Sequence, residues 1–154
     1  WIFCPNELAR DNIVKETIQR EIDPCRICFA DNINFKEHLA RHKLGDLFLD
    51  TFNYSAGVTA SLALYSDMPI LTLIGESYAS RMASSLLSAL GMDELITSNT
   101  SEYESMAYNL ATDKEYYNKV KNKLITAKNN SSLFDSKQFT SDLETLYRQL
   151  MKDI

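Results

Sequence analysis

The sequence predicts an α/β fold: a parallel sheet flanked by helices, followed by a helical C-terminal tail. Three observations predict it. Short apolar runs such as Leu47–Leu49 and Ile70–Ile74 end in turn residues, at Asp50 and Gly75, as buried parallel strands do. Stretches free of helix breakers, Ala60–Ser66 and Tyr78–Leu90, follow these runs in alternation. Between the first run and its helix lies the small-residue turn Ala56-Gly57-Val58-Thr59.

Trp1–Cys4 reads as a strand that Pro5 ends, because proline has no N–H for a sheet interior. Leu8–Ile22 reads as an amphipathic helix with Leu8, Ile13, Ile18 and Ile22 inward, stopped by Asp23-Pro24. A strand over Ile27–Ala30 precedes a short helix, Asn34–Leu44, that carries both histidines and has Gly45 as its expected C-cap. The third strand is Leu47–Asp50, and Ala60–Ser66 is the helix behind it. The fourth strand is Ile70–Ile74, and Tyr78–Leu90 is a helix capped by Gly91. Right-handed crossovers would make such a sheet parallel.

Beyond Gly91 the pattern turns helical. Asp93–Ile96 reads as a helical turn, and Ser101-Glu102-Tyr103-Glu104 as the capped, acid-rich start of a helix. Asp113–Lys128 concentrates its lysines in its second half, where the helix dipole favours them. After the loop Asn129–Ser132 comes a last amphipathic helix, Lys137–Lys152, with Phe139, Leu143, Leu146 and Leu150 on one side. The expected organisation is one domain over 1–154, with an α/β core in 1–91 and a helical segment in 92–154.

A chain of 154 residues with 45% hydrophobic content can bury one core. The net charge of −5 advertises no basic face for nucleic acid or an anionic membrane. Apolar stretches such as Met68–Ile74 are too short to span a bilayer, and no secretory-type leader opens the chain. Trp1 in place of Met, at the head of a core strand, reads as a piece of a longer polypeptide. Cys4, Cys25 and Cys28 are an odd number that suits a reducing, cytoplasmic setting. Cys25-Arg-Ile-Cys28 has half-site spacing without a second pair, and Cys28 reads instead as a small apolar strand residue. His38 and His42 stand four apart, but no third ligand accompanies them, so no metal site and no cofactor is expected.

The turn at Gly57 carries the chemistry. A helix N-terminus behind a small-residue turn offers unpaired N–H groups and a positive dipole end, which suits phosphate. Gly57 permits close backbone approach, and the Thr59 hydroxyl can donate. The same residues also make an ordinary strand-to-helix turn. His38 and Arg41 share a helix face; an imidazole can stack on a base and a guanidinium can clasp phosphate, though both also suit a solvated face. Gly-x-Gly-x-x-Gly and Gly-x-Ser-x-Gly signatures are absent.

Several spaced blocks together are more specific than any one of them. Glu37-His38-Leu39-Ala40-Arg41, Asp46–Ser61, Gly75-Glu76 with Ala79-Ser80-Arg81, and Leu133–Thr140 occur in order. In this the chain resembles the nucleotide-sugar-binding half of the O-linked N-acetylglucosamine transferase/SPINDLY-like protein glycosyltransferases. The resemblance implies a Rossmann-like C-terminal domain of GT-B type that binds the nucleoside diphosphate of UDP-N-acetylglucosamine for transfer to Ser/Thr hydroxyls of protein acceptors. It implies donor contacts at His38, Arg41, Gly57, Val58, Thr59 and Leu62. It also implies a partner half upstream, which helical repeats can precede, and no catalytic residue within this chain, which by itself would be inactive.

Two of those positions depart from the family pattern. Val58 stands where a threonine is usual, and Leu62 where an aspartate holds the ribose hydroxyls. Asp67 replaces a usual glycine. Two other readings therefore stand beside the first: a non-catalytic nucleotide-binding or interaction domain with a degenerate donor site, and a relative that uses GDP-fucose.

Overall fold

The computed structural model describes residues 1–151; the end of the expected last helix, at Lys152, lies outside them. Contacts divide the chain into two compact units, Trp1–His38 and Leu39–Ile154.

In the first unit, β1 (Ile2–Phe3) pairs in parallel with β2 (Phe29–Ala30), with Ile2 opposite Phe29 and Phe3 opposite Ala30. Helix α1 (Glu7–Gln19) lies between them in sequence, and its N-cap Asn6 accepts from the Ala9 amide at 3.0 Å. The expected inward face of α1 is corrected. Leu8, Ile18 and Ile22 are exposed, and Thr17 is the buried residue of the helix. Five-residue steps turn a helix by roughly 140°, so those side chains point to different sides. The helix also stops before Asp23-Pro24. Glu21 adopts φ 57°, and the Glu21 and Ile22 amides return to the carbonyls of Ile18 and Thr17. Cys28 is exposed, not a core strand residue; Cys4 is the buried cysteine.

Helix α2 (Phe35–Arg41) spans the division and passes into a 3-10 turn, His42–Leu44. Gly45 follows with φ −97°, so it is not a left-handed cap. What requires glycine there is space, since a Cβ would meet the Met68 sulfur at 2.9 Å.

The second unit carries a three-stranded parallel sheet in the order β3-β4-β5: Phe48–Leu49, Ile70–Leu73 and Ile96–Thr97. Phe48 faces Ile70 and Thr72 faces Ile96 across the two ladders. Strand β5 was not foreseen. The expected turn over Asp93–Ile96 is a 3-10 turn, Asp93–Leu95, that delivers Ile96 into the sheet. The central strand β4 touches α3 (Val58–Tyr65), α4 (Met82–Ala89) and α5 (Thr100–Thr112). Its Ile70 and Leu71 are wholly buried with Ala60, Ala63 and Leu64 of α3 and Leu87 of α4. Burying each leucine or isoleucine among them contributes about 1.5–3 kcal/mol.

Helices α3 and α4 end as α1 does. Asp67 (φ 63°) and Gly91 (φ 64°) occupy the left-handed position, and Met68 and Met92 send their amides back to Ala63 and Leu87. Asp67 therefore sits where glycine is conformationally preferred, and its carboxylate pairs with Lys128. Helix α6 (Lys114–Asn130) is capped by Asp113 and seats Val120 and Leu124 in the core. Helix α5 is capped by Asn99, not by Ser101. Helix α7 (Ser136–Leu150) leaves Phe139, Leu146 and Leu150 exposed. No helix among the described residues is long and apolar enough to cross a membrane.

Candidate functional site

A cleft of about 630 Å³ opens at the carboxyl end of β3 and lies wholly within the second unit. Ligands of open α/β sheets bind at such strand ends. Its walls are the loop from β3 to α3, the first turn of α3, and the start of α4 with the residues before it.

Asp50 organises the first wall. It ends β3 and is 4% exposed. Its Oδ1 accepts from the amides of Thr51 (2.9 Å) and Ala56 (2.8 Å), and its Oδ2 from the Thr72 hydroxyl (2.7 Å). The Tyr103 hydroxyl donates to the Asp50 carbonyl at 3.0 Å, and Thr51 Oγ1 donates to the Tyr54 carbonyl. Burial first, and the nearby Asp50 charge second, push the Tyr103 hydroxyl up to about 12. The loop is thus built in advance of any ligand. A carboxylate so bonded is spent on structure.

Ser55 joins this wall to the next. It is fully buried; its amide and hydroxyl donate to the Ala79 carbonyl (2.8 and 3.0 Å), and its Oγ accepts from the Ala83 amide at 3.2 Å. Ser55 is therefore a structural bridge between the two walls. Behind it the chain turns tightly at Gly75, where a Cβ would come within 2.2 Å of the Ser80 hydroxyl. Arg81 donates to the Gly75 carbonyl at 3.1 Å.

The first turn of α3 forms the cleft's floor. Its N-cap is Gly57, which has no side chain to offer, and no side-chain hydrogen bond caps the turn. Gly57, Val58 and Thr59 line the cleft, and Val58 is 77% exposed. An anion seated here meets uncapped amides at the positive end of a helix.

Of the residues singled out in the sequence, the structure brings Gly57, Val58 and Thr59 together in this cleft. Leu62 is half-buried one turn further along α3 and does not line it. Arg41 is half-buried at the end of α2 and is not in the lining either. His38, also half-buried, belongs to the first unit. Asp50, Tyr78 and Met82 were missed. The sequence signal for Asp50 was available, because an acid closing a buried strand needs donors, and the following loop supplies them.

Parallel strands, a strand-end cleft and an uncapped helix start define the class as an α/β domain whose cleft suits an anionic ligand. The sequence profile of glycosyl transferase family 41 matches residues 1–143. The chain belongs to that family. It is 37% identical over 152 residues to a Caenorhabditis elegans UDP-N-acetylglucosamine--peptide N-acetylglucosaminyltransferase, covering 99% of this chain and 13% of that protein. It is 31% identical over 151 residues to the probable SPINDLY enzyme of the same description from Solanum lycopersicum, covering 97% of this chain and 16% of that one. Among solved structures it superposes on the K341M mutant of Thermobaculum terrenum O-GlcNAc transferase with TM-score 0.86. The identity there is 28%, over 96% of this chain and 28% of the other. The fold is accordingly the Rossmann-like domain of a GT-B glycosyltransferase, and the chain spans roughly an eighth to a sixth of the curated relatives named.

Proposed function

We propose that this chain is the donor-binding half of a protein O-glycosyltransferase, its cleft holding the diphosphate of UDP-N-acetylglucosamine for transfer to Ser/Thr. The observation that carries the reading is the uncapped start of α3, Gly57–Thr59, facing a cleft whose loop Asp50 has already fixed. The names of the family 41 relatives, which specify a UDP-N-acetylglucosamine donor and a peptide acceptor, support it.

In the transfer an acceptor hydroxyl attacks the anomeric carbon while the bond from that carbon to the diphosphate oxygen breaks. Negative charge gathers on the departing oxygen. Fixed amides and a helix dipole stabilise it without reorganising, and the Thr59 hydroxyl adds a donor. The family resemblance implies Arg41 at the diphosphate and His38 at the base; neither lines the cleft. The acceptor side falls to the upstream half, so this chain alone is expected to show no turnover.

Titrating UDP and GDP by calorimetry into the polypeptide that includes the upstream half tests the proposal. UDP binding that Thr59→Ala weakens supports it. A preference for GDP transfers the site to a GDP-fucose enzyme, and binding of neither nucleotide sinks it. One observation favours the second reading, a non-catalytic domain: Val58 presents an exposed apolar surface where a hydroxyl would serve phosphate.

A further inference from the structure

Two exposed tyrosines stand in the lining of the cleft, one on each wall. Tyr54 (77% exposed) lies three residues before the N-cap of α3, on the loop held by Asp50. Tyr78 (81% exposed) lies on the opposite wall, immediately before the 3-10 turn Ala79–Arg81 that leads into α4. Neither ring belongs to the hydrophobic core, and the backbone at both is hydrogen-bonded. The Tyr54 carbonyl accepts from Thr51, and the Tyr78 carbonyl accepts from the Arg81 amide at 3.1 Å. The neighbours Ser55 and Ala79, each adjacent to one of the tyrosines, are bonded to each other at 2.8 Å. The two walls are therefore tied together at the very points where the rings emerge.

We propose that Tyr54 and Tyr78 form an aromatic clasp for the pyranose ring of the sugar donor. The proposal rests on the donor-site reading above and deepens it. The chemistry of the lining separates a sugar from a nucleobase. A base is identified along its edge by fixed donors and acceptors, whereas the only charged side chain in this lining, Asp50, has both oxygens engaged. Beyond the amides and the Thr59 hydroxyl at the start of α3, what the lining offers is aromatic and aliphatic surface from Tyr54, Tyr78, Leu49 and Met82, with phenolic hydroxyls at its margin. A pyranose offers the complement: a C–H face for a ring to cover and hydroxyls for a phenol to meet. Tyrosine supplies such contact with few rotors to freeze. The clasp and the diphosphate amides also share one cleft, so a single donor can meet both.

The test compares UDP with UDP-N-acetylglucosamine, titrated into the full polypeptide carrying this chain, as wild type, Tyr54→Ala, Tyr78→Ala and the double variant. Because both side chains are exposed, the variants are expected to keep the wild-type unfolding midpoint. In the double variant, affinity for the sugar nucleotide is expected to fall about tenfold while that for UDP stays within about twofold. Tyr54→Phe is expected to retain most of the sugar-nucleotide affinity by keeping the ring. An equal fall for both ligands places the rings on the nucleotide and overturns the clasp while leaving the donor site intact. No fall for either ligand overturns it too. Wild type that binds neither UDP nor the sugar nucleotide removes the donor site and the clasp together.

Discussion

The Asp50 carboxylate accepts a hydrogen bond of 2.7 Å from the Thr72 hydroxyl inside the protein, tying the end of β3 to the middle of β4. Thr72 is itself fully buried, and its carbonyl accepts from Thr97 on β5 at 3.0 Å, so one line of contacts crosses all three strands. Asp50→Ala removes the acceptor of three donors at once. Buried donors left unpaired cost about 1–3 kcal/mol each, less where water enters. We expect a total loss of about 3 kcal/mol in urea unfolding, together with weakened UDP binding because the loop over Ala56 loosens. Thr72→Val, which leaves the loop bonds in place, is expected to lose about 1–2 kcal/mol and to spare UDP affinity. Equal nucleotide losses in the two variants would contradict the division of labour between the carboxylate's two oxygens.

Ser55 predicts a different pattern. Its hydroxyl serves the Ala79 carbonyl and the Ala83 amide, groups on the far wall of the cleft. Ser55→Ala leaves its own backbone bond to Ala79 but frees the Ala83 amide near the start of α4. The expected cost is about 1–2 kcal/mol in unfolding free energy. Hydrogen exchange should show faster protection loss in 76–84 than in the core strand β4. Uniform acceleration across both segments would mean that Ser55 supports the whole unit and not this junction.

The parts of the fold that were legible in the sequence are those where a local rule and the packing agree. Strand β4 is a run of apolar residues bounded by Pro69 and Gly75, and it is the buried centre of the sheet. Gly91 is left-handed because a helix end needs it, and only glycine takes that geometry without strain. Strand β5 was not legible. Two residues, Ile96 and Thr97, give no periodicity, and their pairing with β4 is a tertiary event. The helix ends at Glu21 and Asp67 were hidden for the opposite reason: the geometry of Gly91 is there carried by residues that do not advertise it. At the site, the helix start at Gly57 could be read because small residues there precede a stretch free of helix breakers. Asp50 and Tyr103 could not be paired in advance, since they meet across 53 residues of sequence.

Val58 and Leu62 make the donor site testable from the side of repair. Val58 is exposed in the cleft, so Val58→Thr replaces a methyl with a hydroxyl at little structural cost. A bond to a charged phosphate contributes roughly 1.5–3 kcal/mol, so UDP affinity is expected to rise about tenfold. Leu62→Asp is expected to add to that only if the ribose reaches the second turn of α3. Calorimetry on the single and double variants separates the cases. A large gain marks a decayed site, whereas no gain from either change marks a pocket rebuilt around a different set of donor contacts.

Tyr103 gives the pH prediction. Its hydroxyl ionises near 10 when solvated and is pushed up to about 12 in the fold, mainly by burial and secondarily by the Asp50 charge. A raised value means that the folded chain holds its proton where the unfolded chain has released it. The contribution to stability is therefore complete below pH 10 and is lost as pH rises toward 12. Lysines titrate in the same window, so the comparison that isolates this residue is with Tyr103→Phe. That variant gives up the bond to the Asp50 carbonyl and is expected to be about 1 kcal/mol less stable at pH 8. Between pH 10 and 12 the two unfolding free energies should converge and then cross, because only the wild type still has a buried phenol to ionise. Parallel curves across that window would show that the phenol reaches water in the folded state. The seal it forms with Phe52, whose ring meets that of Tyr103 edge-on at 5.1 Å, would then be open.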